Sequence, residues 1–444
     1  MAEILGDRAA ERAPTTTPDR GRVIVVALCG GADRPIGSLG GRTPFEAAPT
    51  PRLDGLAAAG ANGLLEVIRH DIPPESDSGA MALLGYDPLV HYTGRGPLEG
   101  LGMDFWVADG FSVAFRINFA SWDPHTGRLD RRTSRDLSDD ELQILVEEIR
   151  TGVDLDPGVR VRLTGFGRHR GILALTSATV ALAGRVGNTD PGFTNTGPFG
   201  TPVKTPAPTP LPCRPLDSSE AAATTARLVN DFVRQSAAIL ERSRVNTDRR
   251  AAGRRPANLV LVRDGGDTLP VLAPFGGVDG RTLSMYGQVP AERGLAGLIG
   301  GRFTVARTAA GQTDLQFYAG LVPTLLADPA DVVFVHLKGP DEPGHDGRPA
   351  DKVRAIAEID AGFVGPLVDG LSERDTLVVT CDHATPCELG IHSADRVPTV
   401  AVGPHVTADA VTSFGERAAG AGALPAGRAS ELLAAVSATA RVPR

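Results

Sequence analysis

Short runs of apolar and β-branched residues recur along this chain, and each run ends in glycine or in polar residues. Val23–Leu28 (VIVVAL) stops at Cys29, and Asp331–Leu337 (DVVFVHL) and Thr376–Thr380 (TLVVT) come late in the chain. Runs of this length without polar alternation are typical of parallel strands that are buried on both faces. Leu259–Val262 (LVLV) is a fourth run, which we assign to the same sheet.

Helical spacing of apolar residues separates these runs, most clearly over Ala350–Val368. Strands that alternate with helices predict an α/β fold with a central, mostly parallel sheet. In such a sheet the functional site lies at the carboxyl ends of the strands. Ser218–Arg242 also has helical spacing and is expected to lead back to this sheet. Residues 21–111 and 217–444 are therefore predicted to form the core domain.

The pattern changes between residues 112 and 216. Phe111–Phe119 and Arg160–Leu175 alternate as strands do, and Ser138–Arg150 between them is a charged helical candidate. Pro191–Leu216 is rich in proline and is predicted to be a linker. We therefore predict a smaller inserted α+β domain over 112–216, with a proline-rich exit.

Composition limits the possible functions. The chain has 444 residues with 45 basic and 53 acidic side chains, a formal charge of −8. This balance predicts neither a nucleic acid nor a membrane surface as partner. Residues 1–20 lack an apolar segment and read as a flexible N-terminal tail rather than a signal peptide. Four cysteines without a CxxC pair predict no disulfide framework and favour the cytoplasm. The sequence makes no prediction of oligomeric state.

Carboxylates and imidazoles follow the two late strands. Asp341 and His345 come after DVVFVHL, Asp382 and His383 come after TLVVT, and His392 follows nine residues later. Because the carboxyl ends of parallel strands meet at one edge, we expect these side chains to converge. Carboxylate oxygen together with imidazole nitrogen suits one or two divalent ions, with zinc or manganese as candidates.

A candidate nucleophile lies earlier, in the stretch PESDSG. Ser76 stands in a turn marked by glycine and proline, and a metal ion can activate such a hydroxyl. Taken alone, Ser76 could equally be the N-cap of a helix. The convergent carboxylates and imidazoles favour the nucleophile.

At this point the sequence resembles a known family, the archaeal-type cofactor-independent phosphoglycerate mutases of the alkaline phosphatase superfamily. The resemblance covers about 21–405 in consistent order. The matching stretches include GGADRP (Gly30–Pro35), SDSGAMALLGYDP (Ser76–Pro88), YTGRGPLEGLG (Tyr92–Gly102), AFRINFASWD (Ala114–Asp123), GRHRGIL (Gly167–Leu173), VHLKGPDEPGHDG (Val335–Gly347) and TCDHATPCELGIHSADRVP (Thr380–Pro398). It implies an alkaline-phosphatase-like α/β sandwich with an inserted substrate-handling domain.

The resemblance also implies roles by position. Ser76 matches the serine that becomes phosphorylated, and two divalent metal ions are expected. The ligands of one ion match Asp341, His345 and His392, and those of the other match Asp382 and His383. Residues placed where the family holds its substrate are Arg116, Asp123, Arg131, Arg168, His169 and Arg170.

Cys29 departs from the family, because an aspartate ligand of the second ion is expected there. Cys29 could coordinate as a thiolate, which would favour zinc over manganese or magnesium. Alternatively the second ion could be weak or absent, or Asp33 could replace the missing ligand. Glu75, where glycine is usual, and Asn188, where aspartate is usual, are further departures. Lys338 is one of three lysines and could either complement phosphate charge or cap the strand end.

The function expected from the resemblance is metal-dependent interconversion of 3-phosphoglycerate and 2-phosphoglycerate through a phosphoserine. The partner is then a small anionic phosphocarboxylate. The departures around Cys29 suggest an alternative: a diverged phosphoryl- or phosphonyl-transfer enzyme of a specialised pathway, acting on a related phospho- or phosphonocarboxylate. A non-catalytic binder of a phosphorylated acid is a third hypothesis.

Overall fold

The strand predicted at Val23–Leu28 lies at the centre of a seven-stranded sheet. The computed structural model describes residues 21–106, 111–277, 280–309 and 311–437, so the tail predicted at 1–20 lies outside the described residues. The strands are, in chain order, β1 (Val23–Leu28), β2 (Ala61–Leu65), β3 (Ser112–Asp123), β4 (Arg128–Asp130), β5 (Val159–Phe166), β6 (Arg170–Ser177), β7 (Phe193–Thr196), β8 (Phe199–Pro202), β9 (Leu259–Gly266), β10 (Leu283–Gly287), β11 (Arg302–Val305), β12 (Val332–Leu337), β13 (Thr376–Thr380) and β14 (Val397–Val402).

Helices connect these strands. The α-helices are α1 (Pro44–Ala47), α2 (Pro51–Ala59), α3 (Ser76–Leu83), α4 (Pro88–His91), α5 (Arg95–Gly102), α6 (Asp139–Gly152), α7 (Glu220–Glu241), α8 (Arg244–Ala251), α9 (Pro290–Ile299), α10 (Asp314–Leu326), α11 (Asp341–His345), α12 (Pro349–Ile359), α13 (Gly365–Gly370), α14 (Glu416–Ala419) and α15 (Leu432–Val436). Short 3₁₀ turns occupy Gly37–Leu39, Thr133–Asp136 and Ala429–Glu431, and a π-helical turn at Asp360–Val364 joins α12 to α13.

The central sheet has the order β11-β10-β12-β1-β13-β14-β2. Strands β11, β10, β12, β1 and β13 pair in parallel, whereas β14 and β2 pair antiparallel at one edge. Every side chain of β1, β12 and β13 is buried, which explains why their sequences are continuous apolar runs. The predicted α/β fold with a mostly parallel sheet is confirmed.

A second, antiparallel sheet has the order β4-β3-β6-β5, and β9 pairs with β3. Helix α7 packs on this sheet, because Phe232 and Leu228 share one buried cluster with Phe115 and Leu173. We expected α7 and the run at Leu259 to join the central sheet, and that expectation is wrong. An apolar period shows that a segment is buried, but it does not show which sheet covers it.

The proline-rich stretch 191–216 is not only a linker. It contains the hairpin of β7 and β8, whose strands pair from Phe193↔Pro202 to Thr196↔Phe199. Prolines are tolerated there because Pro198 lies in the turn between the strands and Pro202 is the last residue of β8. No helix among the described residues is long and apolar enough to cross a membrane.

Candidate active site

Three neighbouring strands end at the same edge of the central sheet. β1 lies between β12 and β13, with Leu28 opposite Leu337 and Ala27 opposite Thr380. The residues that follow these strands therefore converge: Cys29 after β1, Lys338 after β12 and Asp382 after β13. Cys29 and Asp382 are fully buried.

Ser76 is the first residue of α3 and is only 3% exposed. Glu75 is the N-cap, so the sequence hypothesis that Ser76 caps this helix is wrong. The hydroxyl of Ser78 accepts the Glu75 main-chain N–H at 3.0 Å instead. Gly79 lets the helix approach β13, because a Cβ there would lie 2.4 Å from the main-chain oxygen of Asp382. The helix thus presents the Ser76 hydroxyl to the sheet edge.

The first donor group comprises Asp341, His345 and His392. The Nε2 atoms of the two histidines are 3.1 Å apart, and Asp341 Oδ1 lies 3.4 Å from His345 Nε2 and 3.7 Å from His392 Nε2. Ligands bound at ~2.1 Å to a tetrahedral ion are separated by about 3.4 Å. The spacing of this group therefore fits a divalent ion.

The hydrogen bonds of the two imidazoles also fit a divalent ion at this group. His345 Nδ1 lies 3.0 Å from the Gly390 oxygen, and His392 Nδ1 lies 2.9 Å from the Pro74 oxygen. A carbonyl oxygen only accepts, so each Nδ1 carries the proton and each Nε2 presents a lone pair. Two lone pairs that face each other at this distance repel, and a divalent cation bound to both nitrogens would relieve that repulsion.

The second donor group comprises Cys29, Asp382 and His383. Cys29 Sγ lies 3.4 Å from Asp382 Oδ2 and 3.7 Å from His383 Nε2, and the latter two atoms are 3.3 Å apart. Ser76 Oγ lies 3.6 Å from the same sulfur. Lys338 Nζ lies 2.9 Å from Cys29 Sγ and 2.8 Å from Ser76 Oγ.

Side chains behind the second group fix its orientation. Asp382 Oδ1 accepts the Gly30 main-chain N–H at 3.0 Å, and Oδ2 lies 2.8 Å from His336 Nε2. The other nitrogen of His336 contacts the Glu292 carboxylate. Gly30 has φ +59, and a Cβ there would lie 2.6 Å from Asp341 Oδ1, so only glycine fits between the two groups.

Thr385 and Lys352 connect the loops that carry the two groups. Thr385 Oγ1 donates to Asp341 Oδ1 at 2.9 Å and lies 3.1 Å from His383 Nδ1. Buried Lys352 donates to the main-chain oxygens of Ala32 (3.1 Å) and Thr385 (2.9 Å). It also pairs with Asp33 at 2.9 Å, which holds that carboxylate away from both donor groups. Asp33 therefore does not supply the ligand that Cys29 replaces.

Electrostatics differ among the buried groups. Burial would raise the pKa of Asp341, but His345 and His392 hold it well below its usual value. Burial and the charge of Asp382 raise the pKa of the Cys29 thiol. Burial would lower the pKa of Lys338, yet the charges of Cys29 and Asp341 raise it above its usual value, so the side chain is an ammonium. Burial lowers the pKa of His383 to about 3, so its imidazole is neutral.

A cavity of about 150 Å³ opens onto Ser76 and both histidines of the first group. Besides Lys338, seven arginines line it: Arg95, Arg116, Arg131, Arg132, Arg135, Arg170 and Arg263. Several have carboxylate partners. Arg95 bonds Glu75 at 2.6 Å and Glu99 at 2.8 Å, and Arg116 bonds Glu99 at 2.6 Å. The excess of positively charged side chains in its lining favours a small anion as ligand.

The predicted substrate-holding residues divide into three groups. Arg116, Arg131, His169 and Arg170 line the inner cavity. Arg168 lies outside it, exposed on the β5–β6 turn, and lines an adjoining cavity of about 600 Å³. Asp123 is exposed at the end of β3, where its carboxylate accepts from Thr126 Oγ1 at 2.8 Å, and it lines neither cavity. Asp123 belongs to a stretch that matches the family, but it is the last residue of β3, where the strand pairs with β4 and reaches the solvent.

Several residues of the candidate site were not predicted from the sequence. Arg95 and Glu99 form an i,i+4 pair inside an otherwise glycine- and leucine-rich helix, which is a signal that could have been used. His336 interrupts the apolar run of β12 and is fully buried, so it too was recognisable as a polar group needing a partner. Arg263 is adjacent to Asp264 in β9 and gives no such signal.

A mostly parallel α/β sheet with carboxylate and imidazole groups at its carboxyl edge is typical of metal-dependent α/β enzymes. Residues 57–246 match the family model described as 2,3-bisphosphoglycerate-independent phosphoglycerate mutase. A protein of that name from Methanopyrus kandleri is 36% identical over 409 residues, covering 91% of this chain and 92% of the relative. Another from Aeropyrum pernix is 35% identical over 390 residues, covering 85% and 89%. The chain belongs to the 2,3-bisphosphoglycerate-independent phosphoglycerate mutase family.

Solved structures agree. A protein from Pyrococcus horikoshii superposes with a TM-score of 0.72 at 27% identity, covering 94% of this chain and 96% of the other. A cofactor-independent phosphoglycerate mutase from Thermoplasma acidophilum superposes with a TM-score of 0.57, also at 27% identity, covering 94% and 98%. The family and fold predicted from the sequence are confirmed, and the family implies divalent metal ions as cofactors.

Proposed function

We propose that this chain interconverts 3-phosphoglycerate and 2-phosphoglycerate without a bisphosphoglycerate cofactor, and that Ser76 carries the phosphoryl group between the two hydroxyls. The observation that carries this proposal is the position of the Ser76 hydroxyl. It is buried at the start of α3, contacts the Lys338 ammonium at 2.8 Å and faces a cavity lined by arginines. The relatives named as mutases support the same function rather than a phosphonate-directed one.

The first donor group supplies the clearest metal site. Asp341, His345 and His392 would hold one divalent ion, which when bound stabilises negative charge on phosphoryl oxygens. Zinc and manganese both accept this oxygen and nitrogen set. Asp382, His383 and Cys29 would hold a second ion.

Arg170 is the best candidate for orienting the substrate. Within the described part of the chain, no side-chain hydrogen bond or ion pair satisfies its guanidinium, whereas Arg95 and Arg116 are already bonded to carboxylates. A free guanidinium binds a carboxylate or phosphate through two parallel hydrogen bonds. His169 beside it is buried, and burial together with the charge of Arg170 lowers its pKa to about 2, so it is a neutral hydrogen-bonding group.

The transfer is balanced without a further reactant. The Ser76 oxygen forms a bond to phosphorus as the bond from phosphorus to the substrate oxygen breaks, and the serine proton ends on that substrate oxygen. The glycerate then reorients within the cavity. Its other hydroxyl takes the phosphoryl group, and its proton returns to Ser76. Lys338 stabilises the charge that develops on Ser76 Oγ in both directions.

The compartment follows from the same proposal. All four cysteines of the chain are free and buried. Free thiols together with a glycolytic substrate fit a cytoplasmic enzyme.

The test is the variant Ser76→Ala, with Ser78→Ala as the matched control two residues along the same helix. Formation of 2-phosphoglycerate is followed by a coupled assay. We expect Ser76→Ala to lose ~10³-fold or more of the turnover number. Ser78→Ala removes only a capping hydroxyl and should retain most of it. Mass spectrometry of the wild-type protein after brief exposure to substrate should show one added phosphoryl group on Ser76. Undiminished turnover in Ser76→Ala would refute the proposal.

A further inference from the structure

Cys29 offers a sulfur atom to the second donor group, and the spacing around this sulfur is that of a ligand. For a tetrahedral ion bound at ~2.3 Å to sulfur and at ~2.0–2.1 Å to nitrogen and oxygen, ligand atoms lie about 3.6 Å from the sulfur and about 3.4 Å from one another. The structure has 3.4 Å from Cys29 Sγ to Asp382 Oδ2, 3.7 Å to His383 Nε2, and 3.3 Å between those two atoms.

Ser76 lies next to the sulfur of this group. Its Oγ lies 3.6 Å from Cys29 Sγ, on the side of the group that faces the cavity. The group therefore has three donors, and the proposed nucleophile lies at the distance from the sulfur that a fourth ligand would have.

Lys338 contacts both the sulfur and the proposed nucleophile. Its ammonium touches Cys29 Sγ and Ser76 Oγ, the two atoms that become anionic when they bind an ion. An ammonium so close to a metal cation is tolerated only where negative ligands lie between them. The Cys29 thiolate would meet this condition, because it carries the same charge as the carboxylate that the family resemblance leads one to expect.

The remaining ligands are already held in place. Asp382 is fixed by Gly30 and His336, and Thr385 bonds His383 Nδ1 so that Nε2 faces the sulfur. Partners of this kind orient ligands before the ion arrives. The second site is thus organised around a sulfur, whereas the first contains only oxygen and nitrogen.

We propose that Cys29 is a thiolate ligand and that it makes the second site selective for thiophilic divalent ions, such as zinc, cobalt or cadmium, over manganese and magnesium. The first site has no sulfur ligand, so its preference for these ions is weaker and the protein holds two unlike metal sites. Binding at the second site releases the thiol proton to solvent as the bond from sulfur to metal forms. This inference deepens the proposed function, since it identifies the ion beside Ser76.

The test uses the full-length protein loaded with Co²⁺. Thiolate ligation gives a near-ultraviolet charge-transfer absorption that oxygen and nitrogen ligands do not give. We expect this band in the wild type and in Cys213→Ser, a control at a buried thiol remote from the site. We expect its loss in Cys29→Asp. A band that persists in Cys29→Asp, or its absence from the cobalt-loaded wild type, would overturn the proposal.

Metal competition provides a second measurement. The protein is equilibrated with equal Zn²⁺ and Mn²⁺, passed through a desalting column and analysed for both metals. Because oxygen and nitrogen sites also favour zinc, the comparison is between proteins: the ratio of retained zinc to manganese should be at least about tenfold higher in wild type than in Cys29→Asp. Equal retention of the two ions by wild type, or a single retained ion, would contradict the proposal.

The cobalt experiment on Cys29 can be distinguished from the turnover experiment on Ser76 that tests the proposed function. Ser76→Ala leaves Cys29, Asp382 and His383 intact, so its cobalt band should persist even though its turnover is lost. If the cobalt-loaded wild type lacks the band while turnover still requires Ser76, sulfur ligation alone is refuted. A normal band in a Ser76→Ala protein that still turns over would refute the phosphoserine route alone.

Discussion

His345 and His392 present their Nε2 atoms to each other at 3.1 Å, while each Nδ1 lies against a main-chain carbonyl oxygen. The main chain thus fixes both tautomers before any ion is bound. The arrangement is unfavourable on its own, since two lone pairs face each other, and it becomes favourable when a cation is inserted. The fold thus holds this pair in the geometry that the proposed first metal site needs.

Replacing one of these imidazoles should therefore prevent the protein from binding an ion at the first donor group. We expect His392→Ala to retain one metal equivalent fewer than the wild type and to show a smaller fall in melting temperature when a chelator is added. His405→Ala, at an exposed histidine, is the matched control and should behave as the wild type does. Metal analysis after desalting and thermal unfolding with and without chelator are the measurements. Full metal retention by His392→Ala would exclude this histidine as a ligand.

The adjacent arginines Arg168 and Arg170 allow a test of the inner cavity. Arg170 lines this cavity and has no side-chain partner among the described residues, whereas Arg168 reaches only the outer one. Loss of a charge-assisted hydrogen bond costs about 1.5–3 kcal/mol, so we expect Arg170→Ala to lower kcat/KM by about 10- to 100-fold. Arg168→Ala should change it by no more than a few-fold. Steady-state kinetics with 3-phosphoglycerate distinguish the two, and equal losses would show that both arginines hold the substrate.

The sequence predicted the sheet edge and the side chains that converge there because both are local. β1, β12 and β13 are short apolar runs, and the residues directly after them, such as Asp382, are bound to lie at that edge. The arginines of the inner cavity are different. Arg95 and Arg263 come from segments about 170 residues apart. Only the tertiary fold brings them together, and in a chain with so many arginines neither could be distinguished from a surface residue.

For Asp123 and β9, the local sequence pattern pointed to a position in the fold that the structure does not show. Asp123 belongs to a stretch that matches the family, yet similarity of a stretch says nothing about which of its side chains faces the substrate. β9 was recognised as a buried strand and assigned to the wrong sheet, because a buried run fits either one. The sequence allows Lys338 either to complement phosphate charge or to cap the end of its strand. Its contacts with Ser76 and Cys29 support the first interpretation.

Lys352 and Asp33 form a buried ion pair whose stability effect can be measured. Lys352 holds the main chain of Ala32 and Thr385, next to both donor groups, and both charged side chains are fully buried. Removing one partner of such a pair leaves an uncompensated buried charge and costs about 3–5 kcal/mol. We expect that loss in the free energy of unfolding of Lys352→Met. Arg354→Met, which breaks an exposed pair with Asp351 on the same helix, should cost less than about 1 kcal/mol. A similar small effect in both variants would refute the role of the buried pair.

Asp264 should make stability depend on pH. Burial raises the pKa of its carboxyl to about 6, against the opposing charge of Arg263. The folded protein therefore holds a proton that the unfolded chain releases near pH 4. Its contribution to stability is fully present below that pH and is lost as the pH rises through about 6. The substitution Asp264→Asn removes the titration, and asparagine tolerates the local φ of +53. Between pH 5 and pH 8 the wild type should lose roughly 1–2 kcal/mol of unfolding free energy relative to Asp264→Asn. Denaturant unfolding of both proteins at several pH values measures this difference, and parallel pH profiles would show that Asp264 is ionised throughout.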